Sequence, residues 1–131
     1  MIVIPMAGES RRFTEAGYAE PKYRLPLGGR SVFAHAVGSF AAYFTAAPFL
    51  FVVRAGAEDF VAAEAGRLGI AAFRIASLDR PTAGQAESVE RGLDAVGAGE
   101  AEPLGIFNID TFRPGFSFPA EPWAEIGRAH V

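Results

Sequence analysis

The chain has 131 residues, of which 50% are apolar and 21% charged, and this suits one soluble globular domain at most. Its net charge of −3 argues against a general nucleic-acid binder, and it has no cysteine for a disulfide or a thiolate metal site. No stretch reaches the ~20 apolar residues that span a bilayer, and no signal peptide is recognisable, so we expect a cytoplasmic protein without a membrane partner.

The chain opens with a short strand and a long loop. Residues 1–5 (MIVIP) are continuously apolar, which predicts a strand covered on both faces, and Pro5 marks its end because proline cannot donate to a ladder. Residues 7–30 show no sustained helical period and are interrupted by glycines and prolines. We predict a long ordered loop there, and a loop of that length in a compact domain is usually functional or disordered.

Helices and strands then alternate along the chain. The predicted elements are a helix that Ser31 caps, with Phe33, Val37, Phe40 and Phe44 on its inner face, strand 49–53, helix 58–68, strand 71–75, helix 85–96 and strand 104–109.

This alternation predicts an α/β protein with a Rossmann-like, three-layer α/β/α architecture and a mostly parallel sheet. In such sheets ligands bind outside the carboxyl ends of the strands. Three features fall at that edge: the turn after the first strand, the loop into the third helix, and Asp110 after the last strand. Their convergence predicts a ligand site.

A turn with fixed positive charge follows the first strand. Residues 7–13 read AGESRRF, and residues 21–23 read PKY. Small residues let backbone N–H groups approach anionic oxygens, and cations neutralise them, so the pattern favours a polyphosphate ligand. Neither the dinucleotide fingerprint nor the P-loop pattern is present. On the pattern alone, an ordinary turn with solvated cations remains the alternative.

These residues resemble the signature of the nucleotidyltransferases that activate sugar phosphates or alcohol phosphates. The family form is A-G-x-G-x-R-[FM], then P-K after a gap. Residues 16–18 (AGY) resemble the branch linked to capsular and other surface polysaccharides. Residues 82–89 resemble the base-reading loop and helix start of the family, and residues 107–110 resemble its metal-binding strand end.

The resemblance covers residues 1 to about 118 in order. It implies a nucleotide-diphospho-sugar transferase fold, which is GT-A-like. One residue departs from the family, because Ser10 stands where a second glycine is usual. A positive φ at a serine would be strained, although its hydroxyl adds a donor.

The resemblance implies catalytic roles for Arg12 and Lys22, which would hold the phosphates and stabilise the charge that develops at the α-phosphorus. Asp110 would coordinate Mg²⁺, which prefers hard oxygen ligands. The substrates would be a nucleoside triphosphate and a sugar phosphate. The alternatives without a functional role are a solvated loop lysine for Lys22 and a turn or N-cap aspartate for Asp110.

The remaining implied site residues bind the nucleotide. Backbone groups of Ala7 and Gly8 would meet the base and ribose. Ser10 and Arg11 would line the triphosphate, and Gln85 and Ser88 would lie near the base edge. Gln85 carries an amide that can both donate and accept. The alternatives are an exposed Arg11 and a helix-capping role for Gln85.

The resemblance implies transfer of a nucleotidyl group from a nucleoside triphosphate to a sugar phosphate, forming a nucleotide sugar and pyrophosphate. A GT-A-type glycosyltransferase that uses a nucleotide sugar is one alternative, and a non-catalytic nucleotide-binding module is another. The pair of Arg12 and Lys22 suits a triphosphate, whereas the glycosyltransferase usually relies on a D-x-D metal motif. The base, the sugar and the oligomeric state stay open.

The carboxyl end differs from the rest of the chain. Nothing periodic follows Asp110, whereas enzymes of this kind usually have a further half with the acceptor site. We expect residues 1–124 to form the N-terminal nucleotide-binding part of a C-terminally truncated nucleotidyltransferase domain. Residues 125–131 resemble a translated sequencing adapter, and we expect a non-native tail there.

Overall fold

The structure is a computed structural model that describes residues 1–7, 22–79, 84–97, 105–107 and 109, with only the backbone described at Lys22 and Gln85. Its strands are β1 (Ile2–Pro5), β2 (Pro26–Leu27), β3 (Arg30–Ser31), β4 (Phe49–Arg54), β5 (Phe73–Leu78) and β6 (Gly105–Ile106). Its α-helices are α1 (Val32–Gly38), α2 (Glu58–Leu68) and α3 (Gln85–Val96), and short 3₁₀ turns lie at Lys22–Arg24 and Ala41–Tyr43.

The strands β1, β4, β5 and β6 form one parallel sheet in the order β5-β4-β1-β6. Ile2 pairs with Phe49 on one side and with Gly105 on the other, and Phe49 in turn pairs with Phe73. The predicted parallel α/β fold is therefore confirmed, and β4 and β1 are its central strands.

Successive residues of the central strands face opposite layers, as the pleat requires. Ile2, Ile4, Phe49 and Phe51 pack with α1 and α2 in the larger core cluster. The alternate residues, such as Val3, pack with α3 in a second cluster. Both faces are buried by helices, which explains why β1 and β4 read as continuous apolar runs.

The first helix is shorter than the sequence predicts. Ser31 caps it as expected, because its Oγ accepts a hydrogen bond from the Ala34 N–H at 3.0 Å. However, α1 ends at Gly38, and the Ala41–Tyr43 turn follows. Phe40 and Phe44 are still buried in the larger cluster. Tight turns after α1, rather than one continuous helix, bring them to the core.

Part of the predicted loop 7–30 is regular structure. The β2 and β3 strands form an antiparallel hairpin in which Leu27 pairs with Arg30. Gly28 and Gly29 form its two-residue turn with φ of 63° and 83°, a combination typical of type I′ turns. The glycine pair in the sequence indicates such a turn. The strands have only two residues each, however, which is too few to show the alternating pattern of a hairpin.

The later elements agree with the sequence more closely. The α2 and α3 helices have the predicted bounds, and each ends at a glycine in the left-handed region, Gly69 and Gly97. The β5 strand lies two residues later than predicted at its start, and β6 is shorter than the predicted 104–109. The ends of these strands are hard to predict from the sequence, because the residues of a strand at the end of the sheet alternate only partly between buried and exposed.

The cap of α1 also connects α1 to α2. The Ser31 hydroxyl donates to Glu64 Oε1 at 2.8 Å, and Arg67 Nη1 donates to Glu64 Oε2 at 3.2 Å. Glu64 is only 7% exposed, so these bonds satisfy a carboxylate that has little access to water.

We expect Ser31→Ala to lower the free energy of unfolding by about 1–2 kcal/mol, because it removes a helix cap and one partner of the buried Glu64. Urea unfolding of both proteins measures the change. Ser31→Thr is the matched control, since threonine keeps the hydroxyl and should stay within about 0.5 kcal/mol. Equal losses in both variants would contradict the capping argument.

Within the part of the chain that the structure describes, no helix has the length and apolar character needed to cross a membrane.

Candidate functional site

The carboxyl ends of the parallel strands meet at one edge of the sheet. β1 ends at Pro5, where Met6 N–H still donates to the Val52 carbonyl at 2.6 Å, and Ala7 follows. β4 ends at Arg54 in the same direction, and the turn that contains Gly56 leads from it into α2. Open α/β sheets bind ligands at this edge, so it is the candidate site.

The start of α3 lies at that edge beside Ala7. Ala7 is buried, and it belongs to the same cluster as Leu78 at the end of β5 and Val89 in the first turns of α3. Gly84 is the N-cap residue, in an extended conformation and without a side-chain cap. The structure thus brings Ala7, the first residue of the predicted turn after β1, together with the start of α3.

Ser88 is buried and its Oγ donates to the Gly84 carbonyl at 3.2 Å, inside the first turn of α3. This bond supports the helix start, and the predicted contact of Ser88 with a nucleotide stays a prediction. The backbone of Gln85 forms the first residue of α3, at the predicted edge of the sheet.

The Lys22–Arg24 turn is attached to the same edge. Tyr23 is 7% exposed and its ring centroid lies 5.9 Å from that of Phe60 in α2. Arg24 Nη2 donates to the Gly56 carbonyl at 3.4 Å, and its Cζ lies 4.9 Å from the Phe60 centroid. The backbone of Lys22 is therefore held next to the carboxyl end of β4.

The same contacts set the local electrostatics. Burial raises the pKa of the Tyr23 hydroxyl above its ordinary value of 10.0, and the neighbouring Arg24 charge partly opposes this. Tyr23 therefore stays neutral, and Arg24 adds positive charge close to Lys22.

Glu58, the first residue of α2 after the β4–α2 turn, is an acid that we expect to titrate low. Hydrogen bonds from its own backbone N–H and from that of Gly56, at 2.6 Å to Oε1, lower the pKa of Glu58 below its ordinary value of 4.5. Because the folded protein binds this proton less tightly than the unfolded chain, its contribution to stability is present above pH 4.5. It is lost as the pH falls through the folded pKa.

A carbon-13 NMR titration of the Glu58 carboxyl should give a midpoint below 4.5 in the folded protein. In Glu58→Gln, the corresponding acid-side loss of stability should disappear from urea unfolding measured as a function of pH. A midpoint at or above 4.5 would contradict the backbone hydrogen bonds as the cause.

Several predicted site residues lie outside the described residues. These are Gly8, Ser10, Arg11, Arg12 and Asp110, together with the side chains of Lys22 and Gln85. Ile109, immediately before Asp110, is described and is 8% exposed. The predicted tail 125–131 also lies outside, so its nature stays a prediction.

No group of three or more His, Cys, Asp or Glu residues that could hold a metal ion occurs in the described ranges. Asp110, the predicted Mg²⁺ ligand, lies outside those ranges, and its carboxylate is the kind of hard oxygen ligand that this ion prefers.

Sequence reasoning missed Arg24 and its two partners. Arg24 follows Lys22 by two residues, but its contacts are with Gly56 and Phe60, more than thirty residues along the chain. No spacing in the sequence indicates a contact of that kind.

The architecture defines an α/β protein with a parallel sheet between helical layers and a candidate site at its carboxyl edge. The chain matches no family model and no curated protein. Among solved structures it is similar to the crystal structure of the nucleoside-diphosphate-sugar pyrophosphorylase from Vibrio cholerae RC9, with 50% identity and a TM-score of 0.85.

That similarity covers 92% of this chain and 51% of the pyrophosphorylase. The chain is thus related to a nucleotide-sugar pyrophosphorylase, and it spans about half of that relative's length.

Proposed function

We propose that this chain is the nucleotide-binding part of a nucleotidyltransferase that joins a nucleoside monophosphate unit to a sugar phosphate. The observation that carries the proposal is the 50% identity to a nucleoside-diphosphate-sugar pyrophosphorylase over 92% of the chain. The carboxyl-edge position of the Lys22–Arg24 turn and of the α3 start supports it, because the residues implied by the sequence resemblance lie in or next to these segments.

In the proposed reaction, an oxygen of the sugar phosphate attacks the α-phosphorus of the nucleoside triphosphate. A new P–O bond forms, the bond between the α-phosphorus and its bridging oxygen breaks, and pyrophosphate leaves with the electron pair. Fixed positive charge lowers the barrier of such a step because charge builds up on the phosphate oxygens.

Lys22 and Arg12 would supply that charge. The backbone at Ala7 and Gly8 would meet the base and ribose, Ser10 and Arg11 would line the triphosphate, and Gln85 and Ser88 would lie at the base edge. Asp110 would hold Mg²⁺, and the ion would neutralise phosphate charge.

The product would be a nucleotide sugar. We propose that it is used in capsular or other surface polysaccharide synthesis, which the resemblance of Ala16-Gly17-Tyr18 supports, and that the protein is cytoplasmic.

The proposal is tested with full-length protein, because the chain spans about half of its relative. Each of the four nucleoside triphosphates is incubated with Mg²⁺ and a panel of sugar 1-phosphates, and pyrophosphate is measured. We expect release that requires both substrates. Tight triphosphate binding without pyrophosphate from any pair would instead favour a nucleotide-binding module, and sugar transfer from a nucleotide sugar would favour a glycosyltransferase.

A further inference from the structure

We propose that Arg24 is a positioning residue for Lys22, which it fixes at the carboxyl edge of the sheet through Phe60 and Gly56. The inference rests on the proposed function, in which Lys22 binds the triphosphate. Arg24 itself does not have to touch the substrate in this role.

The first argument is that Arg24 contacts two segments distant in the chain. Its Nη2 donates to the Gly56 carbonyl at 3.4 Å, and Gly56 lies in the turn that leaves the carboxyl end of β4. Its guanidinium also lies over the Phe60 ring, at 4.9 Å from Cζ to the centroid. A cation in that position is attracted to the face of the ring. Arg24 therefore joins its own turn to the strand end and to α2 at once.

The second argument is that both residues after Lys22 contact the same ring. Tyr23 lies 5.9 Å from Phe60, and Phe60 lies 5.9 Å from Phe33 in α1 in an edge-to-face arrangement. The Val32 N–H, at the start of α1, donates to the Leu25 carbonyl at 2.9 Å. Three successive residues after Lys22 are thus anchored to the core.

The consequence for Lys22 is that the residues after it hold its backbone in place. A lysine is a point charge on a long stem, so its contact with a phosphate depends on where the stem starts. Displacements of about 1 Å at a reacting centre can reduce a rate by 10²-fold. The anchoring of the three residues after Lys22 limits such displacements.

The third argument is the cost of keeping Arg24 in place. Its Nε is buried, and it has no hydrogen-bond partner within the described ranges. A buried donor without a partner is unfavourable for stability. An apolar residue would pack on Phe60 without that cost, but it could not also donate to the Gly56 carbonyl, and that hydrogen bond is what ties the turn to the end of β4.

The test is a double-mutant cycle on triphosphate binding in full-length protein. Isothermal titration with α,β-methylene analogues of the four nucleoside triphosphates and Mg²⁺ identifies the ligand that binds best. The same titration is then carried out with Lys22→Ala, Arg24→Gln and the double variant. The analogue prevents turnover, so the dissociation constant alone is measured.

We expect Lys22→Ala to weaken binding by about tenfold or more, as for the loss of one charge-assisted contact. Arg24→Gln should weaken binding several-fold, and the double variant should bind within about twofold of Lys22→Ala alone. Arg24→Lys, the conservative variant, should recover part of the loss, because its ammonium can still lie over Phe60. A merely structural arginine would lower the melting temperature without this non-additivity.

Arg74→Gln is the matched control. Arg74 is an exposed cation at the opposite end of β5, where it donates to the Val96 carbonyl at 3.0 Å. Its substitution should leave binding unchanged in the presence and absence of Lys22. If Arg24→Gln does not fold, the cycle is run with Arg24→Lys, which lacks the planar donor to Gly56, and the same non-additivity is expected.

The outcomes separate the two proposals. Additive losses from Lys22→Ala and Arg24→Gln, or a loss from Lys22→Ala only, would overturn the positioning role and leave the proposed function standing. Unchanged binding in Lys22→Ala would overturn the positioning role and remove Lys22 from the triphosphate site, while pyrophosphate release still decides the proposed function. No binding of any triphosphate by the unsubstituted protein would overturn both.

Discussion

Lys22→Ala is expected to lower kcat/KM for pyrophosphate release by about 10²–10³-fold, as when one preorganised contact to the developing charge is removed. Lys22 is the first residue of a turn that Tyr23 and Arg24 attach to the core and to the end of β4. The fixed charge would therefore be in place before the α-phosphorus reacts. Initial rates with saturating and limiting triphosphate separate the effects on kcat and KM.

Arg74→Ala is the control for that experiment, since it removes a cation from the other end of the sheet. We expect its kcat/KM to stay within about twofold, because exposed charges beyond a Debye length of ~10 Å are screened. A Lys22→Ala enzyme as active as Arg74→Ala would exclude Lys22 from the site.

Gly92→Ala is expected to lower the free energy of unfolding by about 2 kcal/mol. α3 lies so close to β4 at this point that an added Cβ would be 3.2 Å from Val52 Cγ1 and still closer to Val52 Cγ2. Val52 is fully buried in a central strand, so it cannot move away. Overpacking of such a site typically costs about 1–3 kcal/mol, which exceeds the helix propensity gained by alanine.

Gly66→Ala provides the contrast, because Gly66 is in α2 and an added Cβ there meets no atom within 4 Å. This variant should gain about 0.5–1 kcal/mol from helix propensity. Urea unfolding of both variants measures the difference. A Gly92→Ala protein as stable as Gly66→Ala would contradict the close approach of α3 to β4.

The Gly92 contact also bears on the site. If α3 is pushed away from β4, its first residues shift as well, and these include Gln85 and Ser88. We therefore expect nucleotide binding to weaken along with stability in Gly92→Ala.

The sequence was most informative where one face of an element is buried over several turns. α2 and α3 have their predicted bounds because their apolar residues repeat at helical spacing and a glycine follows each. The parallel sheet followed from continuous apolar strands between those helices. The order β5-β4-β1-β6 was not predictable in the same way, since pairing between distant strands leaves no local pattern.

The sequence predicts where the candidate site lies, but not which side-chain contacts surround it. The carboxyl edge follows from the topology, and Ala7 and the α3 start lie there as expected. The contacts of Arg24 with Gly56 and of Ser31 with Glu64 depend on how α2 packs against distant segments. No single-residue propensity encodes that packing, and the predicted roles of Arg12 and Asp110 lie outside the described residues.

The central position of β4 has a consequence for exchange of amide protons with solvent. Five of its residues are fully buried, and the strand is hydrogen-bonded to β1 on one side and β5 on the other. Its amides should become accessible to deuterium only when the whole domain opens. The slowest-exchanging protons of β4 would then report global unfolding directly, without denaturant, while those of the Lys22–Arg24 turn would report local opening of the site.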